Sequence, residues 1–223
     1  METNQDKQGS ITAKRTTLRA FNNQFRQADI FESCPICEGD EDTATQLLID
    51  CYVEMVRECG GEMRKSNLSS KVVRFAAGHG KPWLLLTGAP GTGKTTLMKA
   101  IHRLSLCDRP SDERTRIKWV KASAMGGILK NEPQEWEKLK AARLLFIDDI
   151  GFTGEREVVN DYGVTAFPFV ELVEHRYDYR LSTVISTNLS PARLSSMYGQ
   201  KIADRLFETC EVVEVNGTNF RRP

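Results

Sequence analysis

Residues 88–95 read Gly88-Ala89-Pro90-Gly91-Thr92-Gly93-Lys94-Thr95, the phosphate-binding loop pattern G-x-x-x-x-G-K-[ST] in full. This pattern constrains the fold because it works in one setting only. It must lie between a buried strand and the first turn of a helix, where backbone N–H groups converge on an anion at the positive end of the helix dipole. The flanks meet that requirement. Trp83-Leu84-Leu85-Leu86-Thr87 is a short apolar run that reads as a buried strand, and Thr96 to Leu104 carries helical periodicity. The three glycines let the backbone wrap a polyphosphate, Lys94 is placed for the β- and γ-phosphates, and the Thr95 hydroxyl for the accompanying magnesium. Gly88 to Thr96 is therefore the expected ATP-binding segment, with ATP and Mg2+ as cofactors.

From about Lys81 onward, apolar runs alternate with helical stretches. Ile117-Lys118-Trp119-Val120, Leu144-Leu145-Phe146-Ile147, Ser182 to Ser186 and Cys210 to Val215 read as further strands, with a helix over about 166–179. The order predicts an α/β fold, a largely parallel sheet flanked by helices, with ligands at the carboxyl ends of the strands. The third strand runs into Asp148-Asp149, either a plain strand end or the second nucleotide signature, in which Asp148 holds magnesium and Asp149 orients or deprotonates the attacking water. The fourth ends in Ser186-Thr187-Asn188, where Asn188 either reaches the γ-phosphate and its water or caps the next helix. The stretch from Ala122 to Lys140 is expected to break into two short helices at Gly126-Gly127 and Pro133.

Composition narrows the setting. The chain has 223 residues, 31 Lys and Arg against 30 Asp and Glu, and so a formal charge of +1, which by itself argues for no polyanionic partner. No apolar run approaches the roughly 18 residues of a membrane span, and the polar start is unlike a secretory signal, so a cytoplasmic protein is expected. Six cysteines beside a nucleotide motif read as thiols. Cys34-Pro35-Ile36-Cys37 has metal-ligand spacing but lacks a second pair. Between Lys7 and Ala28 the chain is basic, and Leu48, Cys51, Tyr52, Met55, Val56 and Cys59 form one helical apolar stripe ahead of Gly60-Gly61.

Phosphate loop, double acid, Ser-Thr-Asn, Asp204-Arg205-Leu206 and a late Phe220-Arg221, in this order, resemble the AAA+ ATPases of the DnaC/IstB type, which are replicative helicase loaders and transposition helpers. The resemblance spans about Lys81 to Arg222. It implies an AAA+ sheet with a small helical N-terminal region and no C-terminal lid. It also implies that Asn188 is the first sensor, that Arg205 is an arginine finger inserted into a neighbouring subunit's ATP site, and that Arg221 is a second sensor. Lys201 stands where such relatives often carry arginine, which turns a bidentate contact into a point charge.

The resulting expectation is a helicase loader that assembles as a homo-oligomer with ATP on DNA, taken as single-stranded, and releases a replicative helicase on hydrolysis. The alternatives are a transposition helper acting with a transposase on duplex DNA, a small-molecule P-loop kinase, and an ATP-switched scaffold. Residues 1–77 are expected to form a separate partner-binding region ahead of an ATPase domain over 78–223. On that division, deleting Met1 to Ala77 spares ATP binding and abolishes partner capture.

Overall fold

The five apolar runs form five parallel strands of one sheet. In this computed structural model the described residues are Ile36, 41–58, 69–107, 109–161 and 164–216. In chain order they form α1 (Glu41–Glu58), α2 (Ser70–Ala76), β1 (Trp83–Thr87), α3 (Lys94–Leu106), α4 (Ser111–Thr115), β2 (Ile117–Lys121), α5 (Ala122–Asn131), α6 (Pro133–Ala141) and β3 (Leu144–Ile150). These are followed by β4 (Val159–Asp161), β5 (Val164–Ala166), α7 (Pro168–Asp178), β6 (Ser182–Thr187), α8 (Pro191–Tyr198), α9 (Gln200–Thr209) and β7 (Cys210–Glu214). The sheet order is β2-β3-β6-β1-β7. Every neighbouring pair in it is parallel, and β4 and β5 make a separate antiparallel hairpin.

The order has a direct consequence for chemistry. β1, which feeds the glycine loop, lies between β6 and β7, and β6 lies between β1 and β3. The carboxyl ends of β1, β6 and β3 are thus side by side, as ligand binding at strand ends of an α/β sheet requires.

The apolar stripe of α1 is spent inside this fold. Leu48, Cys51, Tyr52, Met55 and Val56 share one buried cluster with Leu97, Met98, Ile101 and Leu104 of α3, with Val72, Phe75 and Ala76 of α2, and with Leu84 and Leu86 of β1. Arg103 of α3 adds contacts to Glu54 at 2.8 Å and Glu58 at 3.2 Å. The expectation of an N-terminal helix without a role in the ATP fold is therefore corrected: α1 covers the helix that begins at the phosphate loop. The stripe had to bury somewhere, and α3 offered a matching face. Cys34, Cys37, Cys59, Gly60-Gly61 and the basic arm lie outside the described residues.

Two further features differ from expectation. The paired glycines do not break α5, which runs through both to Asn131; Glu132 caps it, and Pro133 takes the first position of α6. A Cβ on Gly126 would come within 2.9 Å of Val159 Cγ2, so this glycine allows the hairpin to approach α5 rather than stopping the helix. In the second, Arg176 of α7 is fully buried. Its guanidinium donates to the carbonyls of Leu139, Lys140, Ala142 and Ser182 and to Thr183 Oγ1. Loss of water pulls its pKa below the ordinary arginine range, and the carbonyls at the C-terminal end of α6 offset that cost. It fastens α6 and α7 to the start of β6.

The shared core predicts the outcome of truncation. Removing residues 1–77 takes α1 and α2 away and strips α3 of its cover, so that protein should be insoluble or unable to bind nucleotide. Removing residues 1–35 should leave cooperative thermal unfolding and nucleotide binding intact. Leu48→Ala in the full chain should destabilise by about 2–5 kcal/mol, read by urea unfolding. A soluble, nucleotide-binding protein lacking residues 1–77 would contradict this packing.

Candidate functional site

The loop between β1 and α3 takes its shape from glycine conformations. Gly88, Gly91 and Gly93 have φ of 141°, 83° and 97°, values that side chains with a Cβ rarely adopt. Gly88 has a second constraint, since a Cβ there would stand 2.4 Å from the carbonyl oxygen of Val215. The chain after β7 passes that close because Val215 N donates to Thr87 O at 2.7 Å. Ala89 and Pro90 are exposed at the loop tip, Thr96 follows half-buried, and Thr92 Oγ1 closes the turn on Ala89 O at 2.9 Å.

Lys94 is only 6% exposed. Its ammonium donates to the carbonyls of Gly88 and Ala89, both at 2.8 Å. A buried cation held by neutral carbonyls inside a glycine loop fits a polyphosphate, because anionic oxygens are stronger acceptors than the carbonyls they would replace.

The second half of the site comes from β3 and β6. Asp148 is 4% exposed, and its Oδ1 accepts from Ser186 Oγ at 2.6 Å and from Thr95 Oγ1 at 3.2 Å. The Thr95 contact joins the phosphate loop to β3. A hydroxyl that donates its proton to Asp148 keeps its lone pairs for a cation, so Thr95 and Asp148 together are a fitting pair for magnesium.

Asp149, the next residue, leaves the strand conformation. Its φ is 68°, and the β3–β6 register shifts between Ile147 and Ile150. Its N–H donates to Ser186 Oγ at 2.8 Å, and its Oδ1 receives Asn188 Nδ2 at 3.5 Å, long for a hydrogen bond. Asn188 Oδ1 is buried without a hydrogen-bond partner, a polar atom that calls for a ligand or water. Asn188 does not cap the following helix. Ser190 does, accepting from Arg193 N at 3.4 Å.

Beyond the acids, Glu157 bridges Gly151 N at 3.1 Å and the Tyr198 hydroxyl at 2.8 Å. Burial pushes that hydroxyl's pKa far above the ordinary tyrosine range, with Glu157 adding to the shift, so it stays a donor. Neither Glu157 nor Tyr198 belongs to a recognisable motif.

Arg205 lies elsewhere. Its side chain is 18% exposed, Nη2 donates to Asp178 Oδ1 at 3.4 Å, Nη1 is 3.8 Å from Glu174 Oε1, and the guanidinium stacks 4.5 Å from the Tyr177 ring centroid. These partners are all on α7. Glu208, three residues after Arg205, accepts from the Tyr177 hydroxyl at 3.0 Å, and Lys201 pairs with Glu174 at 2.6 Å. The structure thus brings residues 88–96, Asp148, Asp149 and Asn188 together at adjoining strand ends, and seats Arg205 on α7. Arg221 lies outside the described residues.

A family described as IstB-like ATP binding protein matches residues 79–223. Among solved structures, that of DnaI is 18% identical, covering 75% of this chain and 92% of its own at a TM-score of 0.52. The DnaC helicase loader is 20% identical over 60% of this chain and 78% of its own, with a TM-score of 0.45. AMPPCP-bound DnaA from Aquifex aeolicus is 18% identical over 64% and 42%, with a TM-score of 0.46. No curated protein sequence matches the chain. The fold is that of the AAA+ proteins, an α/β P-loop NTPase sheet.

The approach of Val215 to the loop predicts a strong effect of the smallest substitution there. Gly88→Ala should lower thermal stability by at least about 2 kcal/mol, from the clash together with backbone strain, and abolish binding of a fluorescent ATP analogue. Unchanged melting and affinity would show that the loop does not depend on this contact.

Proposed function

The chain belongs to the IstB-like ATP-binding protein family, and on that footing we propose that it is a magnesium-dependent ATPase that assembles with copies of itself on DNA to load a replicative helicase. The observation that carries the ATPase reading is the Thr95–Asp148 contact, because it links the phosphate loop to the acid expected to hold the metal. Magnesium-bound ATP would supply the electrophilic γ-phosphate and the charge that fixes it.

The chain's own residues divide the remaining work. Lys94 exchanges its carbonyl acceptors for phosphate oxygens. Thr95 and Asp148 would hold the metal, Asp149 would accept a proton from the attacking water or orient it, and Asn188 would steady the Asp149 carboxylate while offering its buried Oδ1 to that water. The γ-phosphate still needs a cation for the charge that develops on it. Arg205 is the candidate, and its seat on α7 supports delivery to a neighbouring protomer's ATP rather than to its own. The sequence order Ser-Thr-Asn, Asp-Arg-Leu favours this over a P-loop kinase, which supplies such arginines within one chain.

Helicase loading is supported by the motif order, with single-stranded DNA as the platform. Because α1, α2 and Ile36 are built into the ATPase core, partner docking is assigned to residues ahead of Ile36. The motif order that resembles the loaders is shared with transposition helpers, so a second reading is a helper that assembles on duplex DNA for a transposase. Capture of a helicase or a transposase by the intact protein separates the two. The cytoplasm is the proposed place of action, consistent with the finding that no described helix is long and apolar enough to cross a membrane.

A mixing experiment tests the shared site. Lys94→Ala retains a finger and Arg205→Ala retains a phosphate loop, so each alone should lose most turnover, by up to about 10³ for the finger. Together they should regain part of it, since some junctions contain both intact parts. Two folded, co-assembling variants that stay as inactive mixed as apart would place the whole site within one chain.

A further inference from the structure

Ser186 is buried at 1% exposure and lies on β6 opposite the point where β3 leaves its ladder. A bulge of this kind strands a backbone N–H that the sheet would otherwise satisfy. Here the stranded group is Asp149 N–H. Its acceptor is not a β6 carbonyl but the Ser186 hydroxyl, at 2.8 Å. The same hydroxyl has one proton to give, and it gives it to Asp148 Oδ1 at 2.6 Å. One side chain is therefore bonded to both acids, through the backbone of one and the carboxylate of the other. The register then resumes, with Ile150 opposite Thr187 and Thr187 Oγ1 donating to Ile150 O at 3.0 Å.

We infer that Ser186 is the positioning residue of this site: its hydroxyl holds Asp149 in its left-handed conformation and fixes the Asp148 carboxylate. The inference rests on the reading of these aspartates as the groups serving water and metal. Alanine at 186 would remove acceptor and donor together. It would take from the half-buried Asp149 N–H its Ser186 acceptor and from Asp148 Oδ1 its shorter hydrogen bond, leaving the Thr95 contact there. The linked bonds also polarise one another, since a hydroxyl that donates to a carboxylate is a better acceptor. Cysteine keeps the approximate shape with a weak donor and acceptor, and so separates hydrogen bonding from packing.

The test uses the full-length protein and Ser186→Ala and Ser186→Cys variants. Without nucleotide, the Asp149 amide followed by NMR hydrogen exchange should exchange about tenfold faster in Ser186→Ala, with Ser186→Cys between it and the parent. With a fluorescent ATP analogue, the magnesium concentration giving half-maximal binding should rise severalfold in the same order. In turnover, kcat should fall about 10- to 100-fold, with KM changed less than about threefold. If Ser186→Ala does not fold, Ser186→Cys alone decides. A folded variant with the parent's Asp149 exchange and magnesium midpoint overturns the inference. A parent protein that neither binds nor hydrolyses ATP overturns the ATPase reading instead, and the amide measurement still judges the clamp.

Discussion

The candidate site depends on β3 leaving its ladder at Asp149. A regular strand would point Asp148 and Asp149 to opposite faces of the sheet, and only one of them could serve the nucleotide. The left-handed φ at Asp149 breaks that alternation. Such a conformation costs on the order of 1–3 kcal/mol for a residue with a side chain, so the surroundings must hold it in place. Ser186, Asn188 and the resumed pairing at Ile150 and Thr187 are the groups that do so.

Much of the site was legible because its chemistry is written in residue types at fixed spacing. Gly88, Gly91 and Gly93 are readable since only glycine adopts those backbone angles freely, and Lys94 and Thr95 since their residue types match what phosphate and metal ask of this loop. The five strands were legible as apolar runs, but their order was not, because a run does not name its neighbour. Nothing in the letters Asp148-Asp149 signals a bulge, and in the Ser-Thr-Asn run only Asn188, not Ser186, has a role that the letters suggest. The hairpin of β4 and β5 uses three-residue strands, too short for a periodicity to register. Arg176 occupied a helical pattern in which a buried arginine cannot be told from an exposed one. The stripe on α1 was readable as a stripe, but its partner was visible only in three dimensions, and for that reason the expected domain boundary at residue 77 cut through a core.

Among the described residues, Arg205 stands apart from the groups gathered at the strand ends. Phosphate loop, acids and Asn188 converge through β1, β3 and β6. Arg205 rests on Tyr177, Glu174 and Asp178, anchored to α7, which Arg176 in turn fixes to the sheet. A guanidinium stacked on an aromatic ring between two carboxylates is oriented at modest cost. On the proposed reading, that arginine would be presented to a second protomer, and assembly and hydrolysis would be linked.

The most direct measurement is the rate of ATP turnover per protomer as a function of protein concentration, at saturating magnesium and ATP. Turnover completed between subunits should rise steeply with concentration and then level off as junctions fill, while binding of ATP to single protomers persists below that range. A rate per protomer that stays constant from nanomolar to micromolar protein, with sedimentation showing monomers throughout, would contradict the shared site.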